Sequence, residues 1–172
     1  MKSKIHEHKS SIKMMSKKIF LMLALITTIF TQKSFAQDNT KTQPAQLLNA
    51  YYKLKDALVS SNATLAAAKA GDLVKAIDSI DKQTINDGTK TALLKDVEAI
   101  SGSKDIKLQR EKFATLSAGM IELAKLVKLS AEPVYQQYCP MKKASWLSKD
   151  KSIKNPYYGS AMLTCGVVKA TL

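Results

Sequence analysis

Two cysteines and two methionines near the C-terminus are the residues with the clearest potential for chemistry. Cys139 and Met141 lie two residues apart, and Met162 and Cys165 lie three apart. The first spacing places both sulfurs on one side of an extended segment, and the second places both on one side of a helical turn. If the two segments meet, four sulfurs converge without a nitrogen or oxygen ligand. Such a donor set favours a soft metal, above all Cu(I), over Zn(II), Ca(II) or Mg(II).

Five further residues of this region are predicted to support the sulfur cluster. Asn155, Pro156, Tyr157 and Gly159 belong to a turn-forming segment between the two sulfur motifs, and they are expected to orient the ligands. Trp146 is expected to shield the site from water. The predicted metal site therefore consists of four ligands and a surrounding layer of turn and aromatic residues.

The same cysteines support a second interpretation. In an exported protein two cysteines most often form a disulfide. A Cys139–Cys165 bond would close a loop of about 26 residues and would contribute roughly 3–4 kcal/mol in the chain-entropy description. Met141 and Met162 would then be ordinary core residues. The sequence leaves both interpretations open.

The N-terminal segment has the order of a secretory signal. Two lysines precede a 12-residue apolar run, residues 19–30, and small residues occupy positions 34 and 36. The run is shorter than the roughly 18–20 residues that span a bilayer. We therefore expect a signal peptide over residues 1–36, cleavage after Ala36, a periplasmic or secreted protein, and no stable membrane insertion after cleavage. A retained N-terminal anchor is the alternative.

The beginning of this segment leaves the start of the protein open. Residues 1–13 are unusually long and basic for a signal peptide. A start at Met14 or Met15, rather than at Met1, would give a more ordinary leader.

Removal of the signal peptide changes which functions the composition allows. The net charge falls from +13 to +7, because residues 1–36 hold seven lysines and one glutamate. Both histidines, His6 and His8, are removed as well. A chain without histidine cannot use a Ser-His-Asp or Cys-His arrangement, nor bind zinc or haem through imidazole. We therefore expect no enzyme, no catalytic residues and no nucleic-acid partner.

The apolar periodicity predicts four helices. In each segment the apolar residues recur three and four positions apart, as on one face of a helix. The four stripes are Leu47, Tyr51, Leu54 and Leu58; Ala66, Ala70, Leu73, Ile77 and Ile80; Leu93, Leu94, Val97 and Ile100; and Ile106, Gln109, Phe113, Leu116, Met120, Leu123 and Val127. Gly71, inside the second stripe, indicates a kink or a close helix crossing.

These stripes indicate a mainly α fold with a single domain over residues 45–172. A polar tether is predicted over residues 37–44, followed by an up-down-up-down antiparallel four-helix bundle over residues 45–130. Residues 131–172 lose the helical period and are predicted to form a small irregular cap of short strands and turns. The cap holds both cysteines, so it is where we expect a specific function.

Six sequence motifs carry a resemblance to a known group of domains. They are Tyr51 to Leu58, Arg110-x-x-Phe113-x-x-Leu116-Ser117, Tyr135-x-x-Tyr138-Cys139-Pro140-Met141, Trp146-Leu147-Ser148, Ile153-x-Asn155-Pro156-Tyr157-x-Gly159 and Met162-Leu163-x-Cys165-Gly166. With these motifs the sequence resembles a bacterial family of uncharacterised domains. These domains occur alone in exported proteins and at the C-terminal end of periplasmic adaptor subunits of copper and heavy-metal efflux pumps.

The resemblance implies metal handling rather than a defined reaction. It implies a buffer or carrier of copper or a related metal, with Cys139, Met141, Met162 and Cys165 in the motif positions. A heavy-metal efflux adaptor or a metallochaperone would be the partner. The chain lacks the pump-adaptor portion, and it has Lys142 and Lys143 where a smaller, less charged link is expected. The competing hypothesis is a structural or interaction module whose cap is stapled by the disulfide.

Overall fold

The computed structural model describes residues 39–172, with side chains from residue 43 onward. The predicted signal peptide and its cleavage point lie outside the described residues. Four helices come first in the described chain: α1 (Asn39–Val59), α2 (Ala63–Asp78), α3 (Asp87–Ser101) and α4 (Ile106–Leu126). Strands β1 (Tyr135–Cys139) and β2 (Ala144–Ser148), a short 3-10 helix (Gly159–Met162) and strand β3 (Val167–Thr171) follow. None of these helices is long and apolar enough to cross a bilayer.

The four helices form the predicted bundle. Each helix packs against the next one in the chain, and short connections between packed neighbours make them antiparallel. The stripes form the core: every residue of the first stripe is buried, and Phe113, Leu116, Met120 and Leu123 of the fourth are buried as well. The prediction of a helical bundle with a small C-terminal cap is confirmed.

Polar side chains begin three of the helices. The Asn62 carboxamide oxygen accepts a hydrogen bond from the Leu65 N–H at 2.9 Å, and the Asn86 oxygen accepts one from the Thr89 N–H at 2.8 Å. Asp105 accepts in the same way from the Lys107 N–H at 2.8 Å. Each side chain satisfies a backbone donor that the first turn of a helix leaves free, and so sets where the helix begins.

Three predicted boundaries differ from the structure. Residues 39–44, predicted as part of a polar tether, belong to α1. Once a helix has nucleated through its buried face, each added residue gains a backbone hydrogen bond at a small free-energy cost, so the helix extends into polar sequence. The second and fourth stripes predict helices from Ala63 to about Lys82 and from about Asp105 to Leu129, but these helices end at Asp78 and Leu126. Ile80 and Leu129 are nevertheless buried, because loop residues can fill the core without keeping the helical period.

The glycine that lies in a tight contact between two helices is not the one expected from the sequence. A Cβ on Gly71 would lie 3.6 Å from the Ser101 hydroxyl oxygen, which is an ordinary contact. A Cβ on Gly119 of α4 would lie only 2.9 Å from a methyl group of Leu93 on α3. The close approach between helices is therefore at Gly119, and Gly71 has room for a methyl group.

The C-terminal strands form one antiparallel sheet in the order β2-β1-β3. In β1, Cys139 pairs with Ala144 of β2, and Tyr138 pairs with Val167 of β3. Strand β2 packs against α4, and the Leu147 N–H donates to the Tyr51 hydroxyl of α1 at 3.1 Å. The sheet is thus attached to both the first and the last helix of the bundle.

Candidate metal-binding site

The sheet register brings the two cysteines together. Cys139 is the last residue of β1. Val167 of β3 pairs with Tyr138, the neighbour of Cys139, and Cys165 lies two residues before Val167. The Sγ atoms of the two cysteines are 3.9 Å apart and both are free thiols. Cys139 is fully buried, with 0 % of its surface exposed, whereas Cys165 is half-buried. Two residues that are 26 positions apart in the chain therefore form one thiol pair.

The separation of the two sulfurs suits a shared metal ion. Two sulfurs bound tetrahedrally at about 2.3 Å from one ion stand roughly 3.8 Å apart. A disulfide requires about 2.05 Å, so its formation would need the sulfurs to approach by almost half their present distance. The observed 3.9 Å lies close to the first value, and it is also the distance of a hydrogen-bonded contact between two thiols.

Backbone groups of the β1–β2 turn contact both sulfurs. The Lys142 N–H points at the Cys139 Sγ at 3.5 Å. Burial raises the pKa of the Cys165 thiol, the contact with Cys139 raises it further, and a hydrogen bond from the Met141 backbone opposes the change. Cys165 therefore keeps its proton more firmly than an ordinary cysteine, and a metal ion would displace that proton on binding.

The two methionines adjoin the thiol pair through their backbones. Met141 follows β1, its side chain is 63 % exposed, and its backbone lowers the pKa of the Cys165 thiol. Met162 ends the 3-10 helix, where its carbonyl accepts from the Cys165 N–H at 3.1 Å. Methionine side chains are unbranched and rotate about three bonds. These two thioethers are the candidate third and fourth ligands.

Asn155 is the supporting residue that contacts the pair most directly. Its side-chain N–H donates to the Cys165 carbonyl at 2.7 Å, and its side-chain oxygen accepts from the Tyr157 N–H at 2.8 Å. Its own backbone N–H donates to the Leu163 carbonyl at 2.8 Å. Asn155 is completely buried, so these bonds hold the segment around Cys165 in place.

The chain after Cys165 runs closely over Trp146. Gly166 has φ +155°, and a Cβ there would lie 3.0 Å from both the Trp146 ring and the Tyr138 carbonyl oxygen. Trp146 is fully buried and meets the Tyr157 ring edge-on, with 5.8 Å between ring centroids. The predicted shielding residue therefore lies under the backbone next to Cys165. Sequence reasoning gave Gly166 no role, although a glycine directly after a candidate ligand was a usable signal.

The other two predicted supporting residues, Pro156 and Gly159, lie against the helical bundle. The Pro156 carbonyl accepts a hydrogen bond from Arg110 Nε at 3.0 Å, and Gly159, with φ +58°, lies against Ser61 and Arg110. Pro156 thus bonds the loop to the bundle, and Gly159 lets the loop approach Ser61 and Arg110 closely. Arg110 was missed as a positioning residue, although it is the only arginine in the chain.

Sulfur is the donor type that distinguishes this site. Among residues 39–172 no three His, Cys, Asp or Glu side chains are grouped so that they could hold a metal ion. A site at the thiol pair must therefore be completed by thioethers, by solvent or by a partner. Thiolate and thioether ligands select soft metals such as Cu(I).

The protein is a small helical domain of the four-helix-bundle class. Its C-terminal cap is a three-stranded sheet that carries the thiol pair. The sequence profile of a family described as "Protein of unknown function (DUF3347)" matches residues 47–132, which is half of the chain. The chain belongs to this family. The match runs from within α1 to beyond α4 and ends before β1, so both cysteines lie outside the matched segment. No curated protein and no solved structure shows a significant match.

Proposed function

We propose that this protein is a non-enzymatic, periplasmic metal-handling accessory protein. It binds Cu(I), or a similar soft metal, through Cys139 and Cys165, with Met141 and Met162 as further ligands. The observation that carries this proposal is the 3.9 Å separation of the two Sγ atoms, which suits two ligands of one ion.

The donor chemistry supports copper over the commoner divalent ions. No histidine occurs after residue 8, so imidazole cannot complete the site, and the sulfurs at 139, 141, 162 and 165 are soft donors. The carbonyl of Cys165 is fixed by Asn155, which would hold one ligand in place before metal binding.

Buffering or delivery for efflux is the role that fits such a site. Cys165 is half-buried and Met141 is mostly exposed, so a bound ion could pass to a partner without the bundle opening. The partner we propose is a heavy-metal efflux adaptor or a metallochaperone. This rests on the resemblance of the motifs to domains that accompany such adaptors, and on export by the predicted signal peptide.

A Cu(I) titration tests the proposal. The reduced protein should bind one Cu(I) per chain in competition with a chelator. The C139S and C165S variants should each bind Cu(I) at least roughly 10–100-fold more weakly. A loss of that size is typical when a residue that only orients a metal ligand is replaced, and a ligand itself should matter no less. M141L and M162L should weaken binding. M120L, a change of the same type at a methionine buried in α4, should leave it unchanged. Equal affinity in a C139S/C165S double variant would exclude this site.

A structural module stapled by a Cys139–Cys165 disulfide is the second candidate. The complete burial of Cys139 favours it, because a sealed sulfur suits a permanent crosslink. Alkylation and mass spectrometry of protein isolated from the periplasm would count its free thiols. A quantitative disulfide, no Cu(I) binding, and a loss of roughly 3–4 kcal/mol in unfolding free energy on reduction would support this candidate against the first.

A further inference from the structure

We infer that the Cys139–Cys165 pair exchanges with a low-molecular-weight disulfide, with Cys165 as the attacking thiol and Cys139 as the resolving thiol. The metal consequence of this inference rests on the proposed function, since closure of the disulfide would remove both thiolate ligands. The exchange itself requires only the geometry of the pair.

The different burial of the two cysteines determines the order of attack. Thiol–disulfide exchange requires a thiolate to reach the disulfide of its substrate. The raised pKa of Cys165 slows its attack, but Cys139 cannot be reached from solvent, so access rather than thiolate fraction decides which cysteine reacts first. Cys165 is half-buried and is followed by exposed Val167, whereas Cys139 has no exposed surface. A small disulfide can therefore approach Cys165 but cannot approach Cys139.

The short distance between the sulfurs allows the second step, in which Cys139 attacks the mixed disulfide on Cys165. Once Cys165 carries a mixed disulfide, its Sγ remains within reach of the Cys139 Sγ, which starts 3.9 Å away. The backbone on both sides is fixed, at Cys139 by pairing with Ala144 and at Cys165 by the bond from Asn155. The remaining approach is achieved by rotation of the side chains.

The reaction balances with one oxidant molecule per chain. Cys165 attacks the disulfide R–S–S–R, a bond forms between Cys165 and one sulfur, and R–S⁻ leaves. Cys139 then attacks the Cys165 sulfur, the Cys139–Cys165 bond forms, and the second R–S⁻ leaves. The two cysteines are oxidised by two electrons, and their two protons end on the two released R–SH molecules.

The redox state of the Cys139–Cys165 pair would thus determine whether the site can bind a metal ion. The reduced chain presents two sulfurs at a separation suited to an ion, and the oxidised chain presents none in thiolate form. Release of a bound soft metal on oxidation, and renewed binding on reduction, follow from the same two residues.

The test uses the metal-free, reduced full chain and glutathione disulfide as the probe. Mass spectrometry should show that the wild type forms an intramolecular disulfide and releases two glutathione molecules. C139S should stop at a glutathione adduct on Cys165. C165S should form an adduct on Cys139 at least about tenfold more slowly, because that sulfur is sealed.

Two results would overturn the inference: equal adduct rates for C139S and C165S, or a wild type that remains at the mixed disulfide. C139A serves as a second variant, and circular dichroism checks that each variant is folded. Cu(I) titration of the reduced wild type separates the two ideas. Exchange without Cu(I) binding would overturn the proposed function alone, and Cu(I) binding without exchange would overturn this inference alone.

Discussion

Arg110 of α4 donates a hydrogen bond from its Nε to the carbonyl oxygen of Pro156 in the cap, at 3.0 Å. Its Nη2 also donates to the Leu58 carbonyl at 3.2 Å and to the Ser61 hydroxyl at 2.8 Å. Partial burial lowers the pKa of the guanidinium, but this group stays charged at any ordinary pH. One side chain therefore joins the end of α1, the turn before α2 and the loop that leads to Cys165.

Replacement of Arg110 should loosen the cap. R110M should lower the free energy of unfolding by about 2–3 kcal/mol, because it removes charged hydrogen bonds to three acceptors. R110K should recover part of the loss, since lysine keeps the charge without the planar fork. Urea denaturation measures both changes. K107M, at an exposed position of the same helix, is the control and should change stability by less than about 0.5 kcal/mol.

Two adjacent tyrosines should respond in opposite ways to loss of the hydroxyl. The Tyr51 hydroxyl lies 2.7 Å from the Ser117 hydroxyl and accepts from the Leu147 N–H, so Y51F should cost about 1–3 kcal/mol. The Tyr52 hydroxyl is buried without a hydrogen-bond partner among the described residues. Y52F should therefore leave stability unchanged or raise it by up to about 1 kcal/mol. Equal losses in the two variants, measured by denaturant unfolding, would contradict this assignment.

Stability should fall in alkaline solution because three buried tyrosines resist ionisation. Burial raises the pKa values of Tyr51, Tyr52 and Tyr157 above their ordinary value near 10. Above that pH the unfolded chain loses protons that the folded chain keeps. The free energy of unfolding is therefore intact below about pH 10 and then falls by roughly 1.4 kcal/mol per pH unit for each tyrosine.

Urea unfolding between about pH 8 and pH 11, with tyrosinate absorbance recorded in parallel, checks this dependence. The absorbance of these three residues should rise only as the protein unfolds. In Y52F the free energy of unfolding should fall less steeply with pH than in the wild type, by roughly 1.4 kcal/mol per pH unit, because one buried tyrosine is absent. Ionisation of all three residues in a chain that stays folded would refute the prediction.

Gly159 should tolerate no side chain, whereas Gly71 should accept one. At φ +58° a Cβ on Gly159 would collide with the Ser61 hydroxyl and lie 2.8 Å from Arg110 Nη2. G159A should thus cost at least about 2 kcal/mol, from left-handed backbone strain and overpacking. G71A should instead stabilise α2 by up to about 1 kcal/mol, because alanine favours a helix and the space is open. Thermal unfolding of the two variants should shift in opposite directions.

The helices were predictable because their burial follows one period over many turns. Tyr51, Leu73 and Met120 all stand where the stripes place them, and all are buried. Strand β2 was not located within the predicted cap of short strands and turns, because apolar and polar residues do not alternate strictly in Ala144–Ser148. In the structure three consecutive residues, 146–148, are buried. Leu147 bonds to Tyr51 of the bundle and Trp146 packs on Tyr157 of the loop after β2, and only tertiary structure shows these contacts.

The thiol pair was predictable in part. Both the metal site and the disulfide were predicted on the condition that the segments of Cys139 and Cys165 meet, and the sheet register places their sulfurs 3.9 Å apart. Ligation by Met141 and Met162 stays a prediction. The contacts of Arg110 could not be predicted, because its three acceptors come from separate segments and two of them are backbone carbonyls, which carry no residue-type signal.

The hydrogen bond between Leu147 and Tyr51 joins residues that are 96 positions apart in the chain. Contacts of such long range have a high entropic cost in folding, because a large loop must close before they are gained. Within the bundle the Tyr51 hydroxyl already meets the Ser117 hydroxyl, and the last strands add the Leu147 N–H as its second partner. A chain that ended before the cap would therefore keep the Tyr51–Ser117 hydrogen bond but would lose the second partner of the Tyr51 hydroxyl, together with both cysteines.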